Sequence, residues 1–371
     1  MDFAYSDEQQ ALRELARKIL EDLATPDRLR EIESSEERID RVLWSELAKA
    51  NLLGAALPEA YGGSGFGFFE LCLLLEEVGR TVAPVPAWAT LVLGALPIAE
   101  FGTEAQKQQW LPRVIAGDAL LTGALTEPGG VDPTSVAAEA RRDGDGWRLS
   151  GVKTCVPAAT VAECVVVPAR GPEGIGLFLL DPRAAGVTVE TQRATNHEIL
   201  GHLTLADAAA EALVEPGSGD AALRAWAERA TVALCAIELG VADRALRITA
   251  DYGSERRQFD RPIGSFQAFH QRAADAYVDA ETMRLTLWNA AFHLSRGASA
   301  PEAVAVAKFF ASEAGHAVTY AAMHLHGGIG SDVDYPVHRY YLWSRQIELT
   351  LGPADAQIAA LGDILADASD A

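Results

Sequence analysis

The chain has 371 residues, a net charge of −21 and a hydrophobic content of 49% with only 7% aromatic residues. This length suits two or three packed subdomains, and the alanine- and leucine-rich composition favours a mostly helical protein. The negative charge argues against a nucleic-acid-binding surface, which must offset phosphate charge, although a few arginines can still dominate a pocket for an anionic ligand.

The first third of the chain, from Ser6 to about Gly117, has a helical pattern. Leucines and alanines recur at helical spacing after Ser6, and Ser6 with Gln9 resembles a capping box. Further amphipathic stretches occupy residues 41–50, 69–78 and 103–115. A glycine-rich segment, 57–67, must form a loop between the first two of these stretches.

The middle of the chain, from Leu120 to about Pro216, consists of short runs rich in valine and threonine, each bounded by Gly, Pro or Asp. An Asp-Gly turn precedes the first run. This spacing predicts an antiparallel β-domain. Long helical patterns return from Gly219 onward, and we expect helices at residues 220–252, 265–295, 301–324 and 342–365.

The predicted fold class is α+β. We expect an N-terminal all-α domain over residues 1–118, a middle antiparallel β-domain over residues 119–217 and a C-terminal four-helix bundle over residues 218–371. No linker is long enough to imply independent modules.

The cysteines and the lengths of the apolar runs indicate the cellular location. Cys72, Cys155, Cys164 and Cys235 have apolar neighbours and no metal-type spacing, so we interpret them as buried thiols in a reducing cytoplasm and predict no metal site. No signal peptide is evident, and no run of about 18 apolar residues occurs. We therefore predict a cytoplasmic protein without a membrane span.

Four local motifs, in order and with matching spacing, resemble those of the acyl-CoA dehydrogenase family. They are PEAYGGSGFG (58–67), DGWRLSGVKT (145–154), ERRQFDRPIGSFQAFHQRAAD (255–275) and HGGIG (326–330). The family's helix–sheet–helix architecture also agrees, and the similarity spans essentially the whole chain. The runs RRQFDRPIGSFQA and YPVHRY further resemble the non-catalytic-type subunit of actinobacterial heteromeric members that act on steroid side-chain CoA thioesters. In that group two related chains form an α2β2 tetramer, and only one kind supplies the catalytic base.

The residue that runs the family reaction is missing from this chain. In the family a Glu-Gly-Thr triplet follows the glycine loop, and its glutamate removes the α-proton of the acyl-CoA. The corresponding triplet here is Leu351-Gly352-Pro353, and leucine cannot accept a proton. Some family members carry the glutamate on another helix, but that position falls near Ala230, with Thr231 where an arginine is usual.

Three other glutamates are weaker candidates for a relocated base. Glu348 lies three residues before Leu351, nearly one helical turn away, so it could point into the same cleft. Glu238 and Glu255 are more remote. A glutamate on a solvent-facing helix is the ordinary case.

The resemblance implies that FAD is shared across a subunit interface. Arg256 can donate a fork of hydrogen bonds to the pyrophosphate, and Phe259, three residues on, would share its face on a helical end. The resemblance assigns the second half of the nucleotide site to residues 324–328, where glycines let a phosphate or adenine approach the backbone. The implied cofactor-binding residues are Arg256, Phe259, Gln267, His324, Gly327 and Gly328.

The chain's own flavin-ring site departs from the family pattern. The strand that covers the flavin loses its aromatic residue, and the threonine that would bond the ring is replaced by Pro157. The loop at 126–133 lacks the family's serine. Such losses are what a subunit with an unused pocket would tolerate.

Three functional hypotheses follow. The first is a non-catalytic subunit that completes the FAD site of a catalytic acyl-CoA dehydrogenase subunit, with the acyl-CoA held mainly by that partner. The second is a self-sufficient flavoenzyme with Glu348 as a moved base. The third is a flavin-free relative that binds acyl-CoA or acts as a scaffold.

Overall fold

The computed structural model describes residues 4–369, without the side chains of residues 368 and 369. The N-terminal part is helical and includes a π-helical segment at Trp88–Ala95. Its α-helices are α1 (Asp7–Leu23), α2 (Pro26–Ser34), α3 (Arg41–Lys49), α4 (Phe68–Thr81), α5 (Leu96–Phe101) and α6 (Glu104–Ile115).

Side-chain caps fix where several of these helices begin. The predicted capping box is confirmed, since Ser6 Oγ accepts from Gln9 N at 3.2 Å and Gln9 Oε1 accepts from Ser6 N at 3.0 Å. Asp40 caps α3 without such a reciprocal bond, since its Oδ1 accepts from Val42 N and Leu43 N. Such caps satisfy amides at the helix start that would otherwise lack partners.

The middle part is a sheet whose strands run from Leu121 to Val214. The strands are β1 (Leu121–Gly123), β2 (Glu139–Asp143), β3 (Gly146–Pro157), β4 (Cys164–Gly171), β5 (Gly174–Leu180), β6 (Val187–Arg193) and β7 (Ile199–Val214). Strands β4, β5, β7, β3 and β2 pair in a closed circuit around a small apolar core that contains Trp147 and Phe178.

The predicted antiparallel sheet also contains two parallel pairings at one edge. Strand β1 pairs with β4 in parallel, and β2 contacts β4 in parallel through Glu139 and Arg170. The remaining pairs, including the long β3–β7 ladder, are antiparallel. The parallel pairs join strands that are distant in sequence, so no hairpin turn signals them.

The C-terminal part returns to long helices, and a short hairpin, β8 (Arg257–Gln258) with β9 (Arg261–Pro262), follows the first of them. The helices are α7 (Gly219–Glu255), α8 (Gln267–Ser295), α9 (Pro301–His326), α10 (Val337–Leu349) and α11 (Ala354–Ser369). The single helix expected at 342–365 is wrong, because Thr350–Pro353 separates α10 from α11. Leu351 and Gly352 have φ of 56° and 93° there, outside the helical region.

Helices α4 and α7 join the N- and C-terminal parts by close backbone contact. A Cβ on Gly79 would lie 2.0 Å from Ile237 O, and one on Gly240 would lie 1.9 Å from Glu76 O. Only glycine fits at both positions, so the two backbones pack without intervening side chains.

A buried ion-pair network lies beside this contact and links α1, α4, α7 and α8. Arg13 Nη2 contacts Glu76 Oε1 at 2.6 Å, and Arg80 pairs with Asp243. Arg284 bridges the two acids, at 3.3 Å from Glu76 and 3.4 Å from Asp243. Burial raises the pKa of Glu76, although the arginines oppose this effect.

Within residues 4–369, no helix combines the length and the apolarity that a membrane span requires. The described residues also contain no cluster of three or more His, Cys, Asp or Glu side chains that could hold a metal ion.

Candidate functional site

A cavity of about 320 Å³ lies where the three parts of the chain meet. The π-helical segment, the loop after β1, the end of β3, the loop before β7, α7 and the α10–α11 junction all contribute to its wall. Most of the wall is apolar, as shown by Trp88, Leu125, Pro157, Leu234, Trp343 and Leu351.

The base position of the family motif presents a hydrocarbon to this cavity. The Leu351 side chain is buried and lines the wall, while Gln357 Nε2 donates to Leu351 O and to Gly352 O at 3.2 Å each. Those bonds hold the interruption between α10 and α11. The residue at this position is therefore well fixed but chemically inert toward a proton.

Glu348 does not line the cavity. Because α10 ends between Glu348 and Leu351, the two side chains do not share a helical face. The Glu348 carboxylate accepts a hydrogen bond from Arg345 and lies 3.2 Å from His316 Nδ1, on the side of α9. Glu255, at the end of α7, is exposed and also lies outside the cavity wall.

Glu238 is fully buried between α7, α9 and α10, away from the cavity wall. Burial raises the pKa of its carboxyl to about 8, although Ser344 and the charge of Lys308 oppose this effect. Burial likewise lowers the pKa of Lys308 to about 8. Lys308 Nζ donates to Ile347 O at 2.9 Å and to Glu348 O at 3.1 Å, so it caps the end of α10.

The alternative base position is closed by a tryptophan. Ala230 is fully buried, and Trp88 Nε1 donates to its carbonyl at 3.0 Å. Thr231 Oγ1 donates to Ala227 O within α7. Neither Ala230 nor Thr231 reaches the cavity.

The end of β3, which the resemblance assigns to covering a flavin ring, has an irregular backbone. The register of β3 against β7 shifts between Lys153 and Val156, and Cys155 and Ala158 both have positive φ. Pro157 has no amide hydrogen to donate, and its carbonyl accepts from Thr122 Oγ1 at 2.6 Å. Cys155 is exposed here, so the interpretation of all four cysteines as buried is wrong at this residue, although all four are free.

A buried pair supports this wall from behind. Lys153 Nζ, fully buried, donates to Glu127 Oε1 at 2.6 Å. Glu127 also accepts from Ala137 N and Ala138 N. Burial alone would raise the pKa of Glu127, but the bond and charge of Lys153 outweigh it and hold the pKa below its usual value.

Sequence reasoning missed Glu198, a carboxylate in the cavity wall. Pro157 pairs with Leu200 across β3 and β7, which brings the loop before β7 to the same wall. Burial raises the pKa of Glu198, partly offset by a hydrogen bond from Asn196. Only the β3–β7 pairing places this loop at the cavity, so no local motif could have identified it.

A second surface carries the residues that the resemblance assigns to FAD. Arg256, Phe259, Gln267, His324, Gly327 and Gly328 are all exposed. The expectation that Arg256 and Phe259 share a helical face is wrong. Arg256 is the extended residue that ends α7, and Phe259 with Asp260 forms a turn between β8 and β9 in which both residues have positive φ.

Aromatic packing brings the two halves of this surface together. The Tyr252 ring, in the last turn of α7, stacks on His326 at the end of α9 with centroids 4.5 Å apart. Tyr335 packs against both rings. Arg256 follows Tyr252 by one turn and Gly327 follows His326 directly, so the two segments emerge at one end of the helices.

This exposed surface has a free cation and open backbone that could hold part of a dinucleotide. The Arg256 guanidinium is exposed and has no ion pair within the described part of the chain. An added Cβ on Gly327 or Gly328 would meet no atom within 4 Å, so their backbone is open to a ligand. Phe259 is 86% exposed at the tip of the hairpin. The cavity, in contrast, lacks the donors that a flavin ring would need at Pro157.

Family models match nearly the whole chain. They are "Acyl-CoA dehydrogenase, N-terminal domain" over residues 6–118, "Acyl-CoA dehydrogenase, middle domain" over residues 122–207 and "Acyl-CoA dehydrogenase, C-terminal domain" over residues 219–366.

Two curated relatives from Mycobacterium tuberculosis are similar along their full length. Acyl-CoA dehydrogenase FadE27 is 39% identical, covering 99% of this chain and 99% of the relative. Acyl-CoA dehydrogenase FadE28 is 31% identical, covering 98% of each.

Two solved structures of complexes have similar folds. A variant of the "Tcur3481-Tcur3483 steroid ACAD" gives a TM-score of 0.94 at 50% identity over 98% of this chain and 99% of that one. The ChsE4-ChsE5 complex from Mycobacterium tuberculosis gives a TM-score of 0.93 at 40% identity over 99% of each chain. The predicted α+β fold class and the family resemblance are confirmed, and the chain belongs to the acyl-CoA dehydrogenase family.

Proposed function

We propose that this chain is a non-catalytic subunit of a heteromeric, FAD-dependent acyl-CoA dehydrogenase. It completes the FAD site of a catalytic partner that carries the glutamate base, in an α2β2 tetramer. The substrate class is an acyl-CoA thioester held mainly by the partner, and the similarity to the Tcur3481-Tcur3483 steroid ACAD favours a steroid side-chain thioester.

The observation that carries this proposal is the separation of two surfaces. The cavity has Leu351 at the base position and Pro157 at the flavin-binding position, so it lacks both groups that the reaction needs. The dinucleotide-type residues lie on another, exposed surface that starts at Arg256. A chain that keeps the exposed surface at Arg256 but lacks a working cavity is suited to bind part of a flavin cofactor that a neighbouring subunit holds.

The chemistry assigns this chain a binding role. A bound flavin would supply the acceptor for a β-hydride, and the carboxylate that would take the α-proton belongs to the partner. Arg256 would offer paired hydrogen bonds to a pyrophosphate, and the backbone at Gly327 and Gly328 would lie against the nucleotide. Phe259 would exchange solvent for contact with the neighbouring subunit or its cofactor. We place the complex in the cytoplasm, consistent with four free thiols.

Co-expression with acyl-CoA dehydrogenase chains from the same genome tests the proposal. Each chain is purified alone and in combination, and the flavin absorbance and dehydrogenase activity of every product are recorded. We expect flavin and activity only when this chain copurifies with a partner that carries the glutamate. The matched control replaces that partner's glutamate with glutamine, which should retain flavin and abolish turnover.

The two other hypotheses predict different outcomes of the same experiment. Flavin and activity in the lone chain would support a self-sufficient enzyme, with Glu348 as the original candidate base and Glu198 as the carboxylate that lines the cavity. A chain without flavin in every combination would support an acyl-CoA-binding or scaffolding relative. Either result would overturn the heteromeric proposal.

A further inference from the structure

The cavity that faces Leu351 is large enough to hold a molecule even without a flavin ring. Its volume of about 320 Å³ lies at the lower end of the range for small-molecule sites. Tryptophan, leucine, isoleucine, valine and proline side chains make up most of its wall. Such a wall favours the hydrocarbon part of a ligand, because apolar surface on both sides leaves water.

The charges around the cavity select against an anion. Among the described residues that line it, none is lysine, arginine or histidine, whereas Asp132 and Glu198 are acidic. Asp132 Oδ1 is already engaged by Thr134 N at 2.8 Å and Thr134 Oγ1 at 2.7 Å. A carboxylate or a phosphate brought into this site would be desolvated beside like charge, which is unfavourable.

Glu198 provides the polar contact point. It is half-buried and makes no ion pair within residues 4–369. Its carboxyl oxygens can accept a hydrogen bond from a hydroxyl, and the amide of Asn196 in the same wall can donate one to a hydroxyl or a carbonyl oxygen.

The loop that carries Glu198 is held in place from both sides. Thr195 N donates to Gln346 Oε1 of α10 at 3.1 Å, and Arg38 Nη1 donates to His197 O at 3.0 Å. Within the loop, Glu198 N donates to Asn196 Oδ1 at 3.3 Å. The polar contact point is therefore formed before any ligand arrives, which reduces the ordering cost of binding.

We propose that this cavity binds a neutral, largely apolar small molecule with one hydroxyl or carbonyl oxygen. Glu198 and Asn196 hold the oxygen, and the hydrocarbon body packs against the wall that contains Leu351. This site goes beyond the proposed function and rests on it in one respect, namely that no flavin ring occupies the cavity.

Tryptophan fluorescence offers a direct test, because Trp88 and Trp343 line the cavity. The probes are 11-bromo-1-undecanol and 11-bromoundecanoate, whose bromine quenches a tryptophan that it contacts. They are titrated into the full chain, in complex with its partner subunit when the two copurify. We expect saturable quenching by the alcohol, and binding of the acid weaker by at least about tenfold.

Variants assign the quenching to this cavity. Leu351→Phe and Leu200→Phe each fill part of the cavity, so each should weaken quenching by the alcohol, provided that circular dichroism confirms folding. Glu198→Gln should bring the affinities for alcohol and acid closer together by removing the ionisable group. Glu190→Gln, on the exposed face of β6, should change neither affinity.

Flavin absorbance of the same samples separates the two proposals. A lone chain that contains flavin would overturn both the proposed function and this site. A flavin-free chain that is not quenched by the alcohol, or that binds the acid equally well, would overturn this site alone. Quenching that both cavity-filling variants leave intact would assign the probe to another location and would also overturn it.

Discussion

At the scale of single residues, the side chains around the cavity differ in their access to it. Leu351, at the position that the family motif gives to the base, lines the wall with a hydrocarbon side chain. Glu348 turns instead toward Arg345 and His316. Glu198 lines the wall, because the pairing of β3 with β7 brings its loop there.

Arg256 is the residue whose replacement should affect cofactor retention most directly. In the proposed complex, Arg256→Ala should remove a charge-assisted hydrogen bond to the pyrophosphate, worth roughly 1.5–3 kcal/mol. We expect a matching rise in the dissociation constant for FAD, measured by flavin release on dilution. Arg296→Ala is the control. Arg296 is also exposed, but it follows the C-terminal end of α8, whereas Arg256 lies before the N-terminal end of that helix. Equal FAD retention in the two variants would remove Arg256 from the site.

Restoring the carboxylate should not by itself restore the reaction. In Leu351→Glu the new side chain would point toward the cavity, but Pro157 still lacks a donor for a flavin ring. We expect the lone variant to show no dehydrogenation of an acyl-CoA with an artificial electron acceptor. Measurable turnover would mean that the cavity still binds flavin, contrary to the proposed division of roles.

At the scale of elements, periodicity predicted most helices to within a few residues but gave wrong local geometry where the backbone turns. Apolar residues recur at helical spacing over 342–365, yet Leu351 and Gly352 leave the helical region just before Pro353. Phe259 was assigned to a helical end, whereas it lies in a two-residue hairpin turn. Both errors arise because side-chain spacing does not report positive φ at residues other than glycine.

The burial of Glu238 between α7, α9 and α10 should make the free energy of unfolding depend on pH. The carboxyl of Glu238 has an ordinary pKa of 4.5, which burial raises to about 8 in the folded protein. Between pH 5 and 7 the folded protein keeps a proton that the unfolded chain has released, so the free energy of unfolding falls as pH rises. The slope from this group is at most about 1.4 kcal/mol per pH unit.

Glu238→Gln should remove that slope, because glutamine does not titrate. Urea unfolding at pH 5, 6 and 7 measures it, and the gain in stability over the native chain should increase with pH. Glu313→Gln is the matched control, since Glu313 is exposed on the adjacent helix α9. A Glu238→Gln variant with the native slope would contradict the assignment.

At the scale of the whole molecule, the order of helices, sheet and helices could be predicted because composition and period change along the chain. The contacts between the three parts could not, since they depend on residues far apart in sequence. The network of Arg13, Glu76, Arg80, Asp243 and Arg284 is an example. Each of these residues appears in the sequence as an ordinary surface charge.

Breaking this network should destabilise the whole chain. Arg284→Met leaves Glu76 and Asp243 with fewer counter-charges in a buried site, and loss of a buried partner typically costs about 3–5 kcal/mol. Arg247→Met is the control, because Arg247 contacts the same Asp243 from an exposed position and should cost less than about 1 kcal/mol. Urea unfolding of both variants at neutral pH measures the difference. Similar losses would mean that the network contributes no more than a surface pair.

Leu351 and Pro157 face one cavity from two distant segments of the chain. Under the proposed function, reversal of either one alone brings no gain on which selection could act, because the other still blocks the reaction. A return to independent catalysis would need both codons to change together. Dependence on a partner would then be a one-way step in the history of this chain, and the two genes would have to be inherited as a pair.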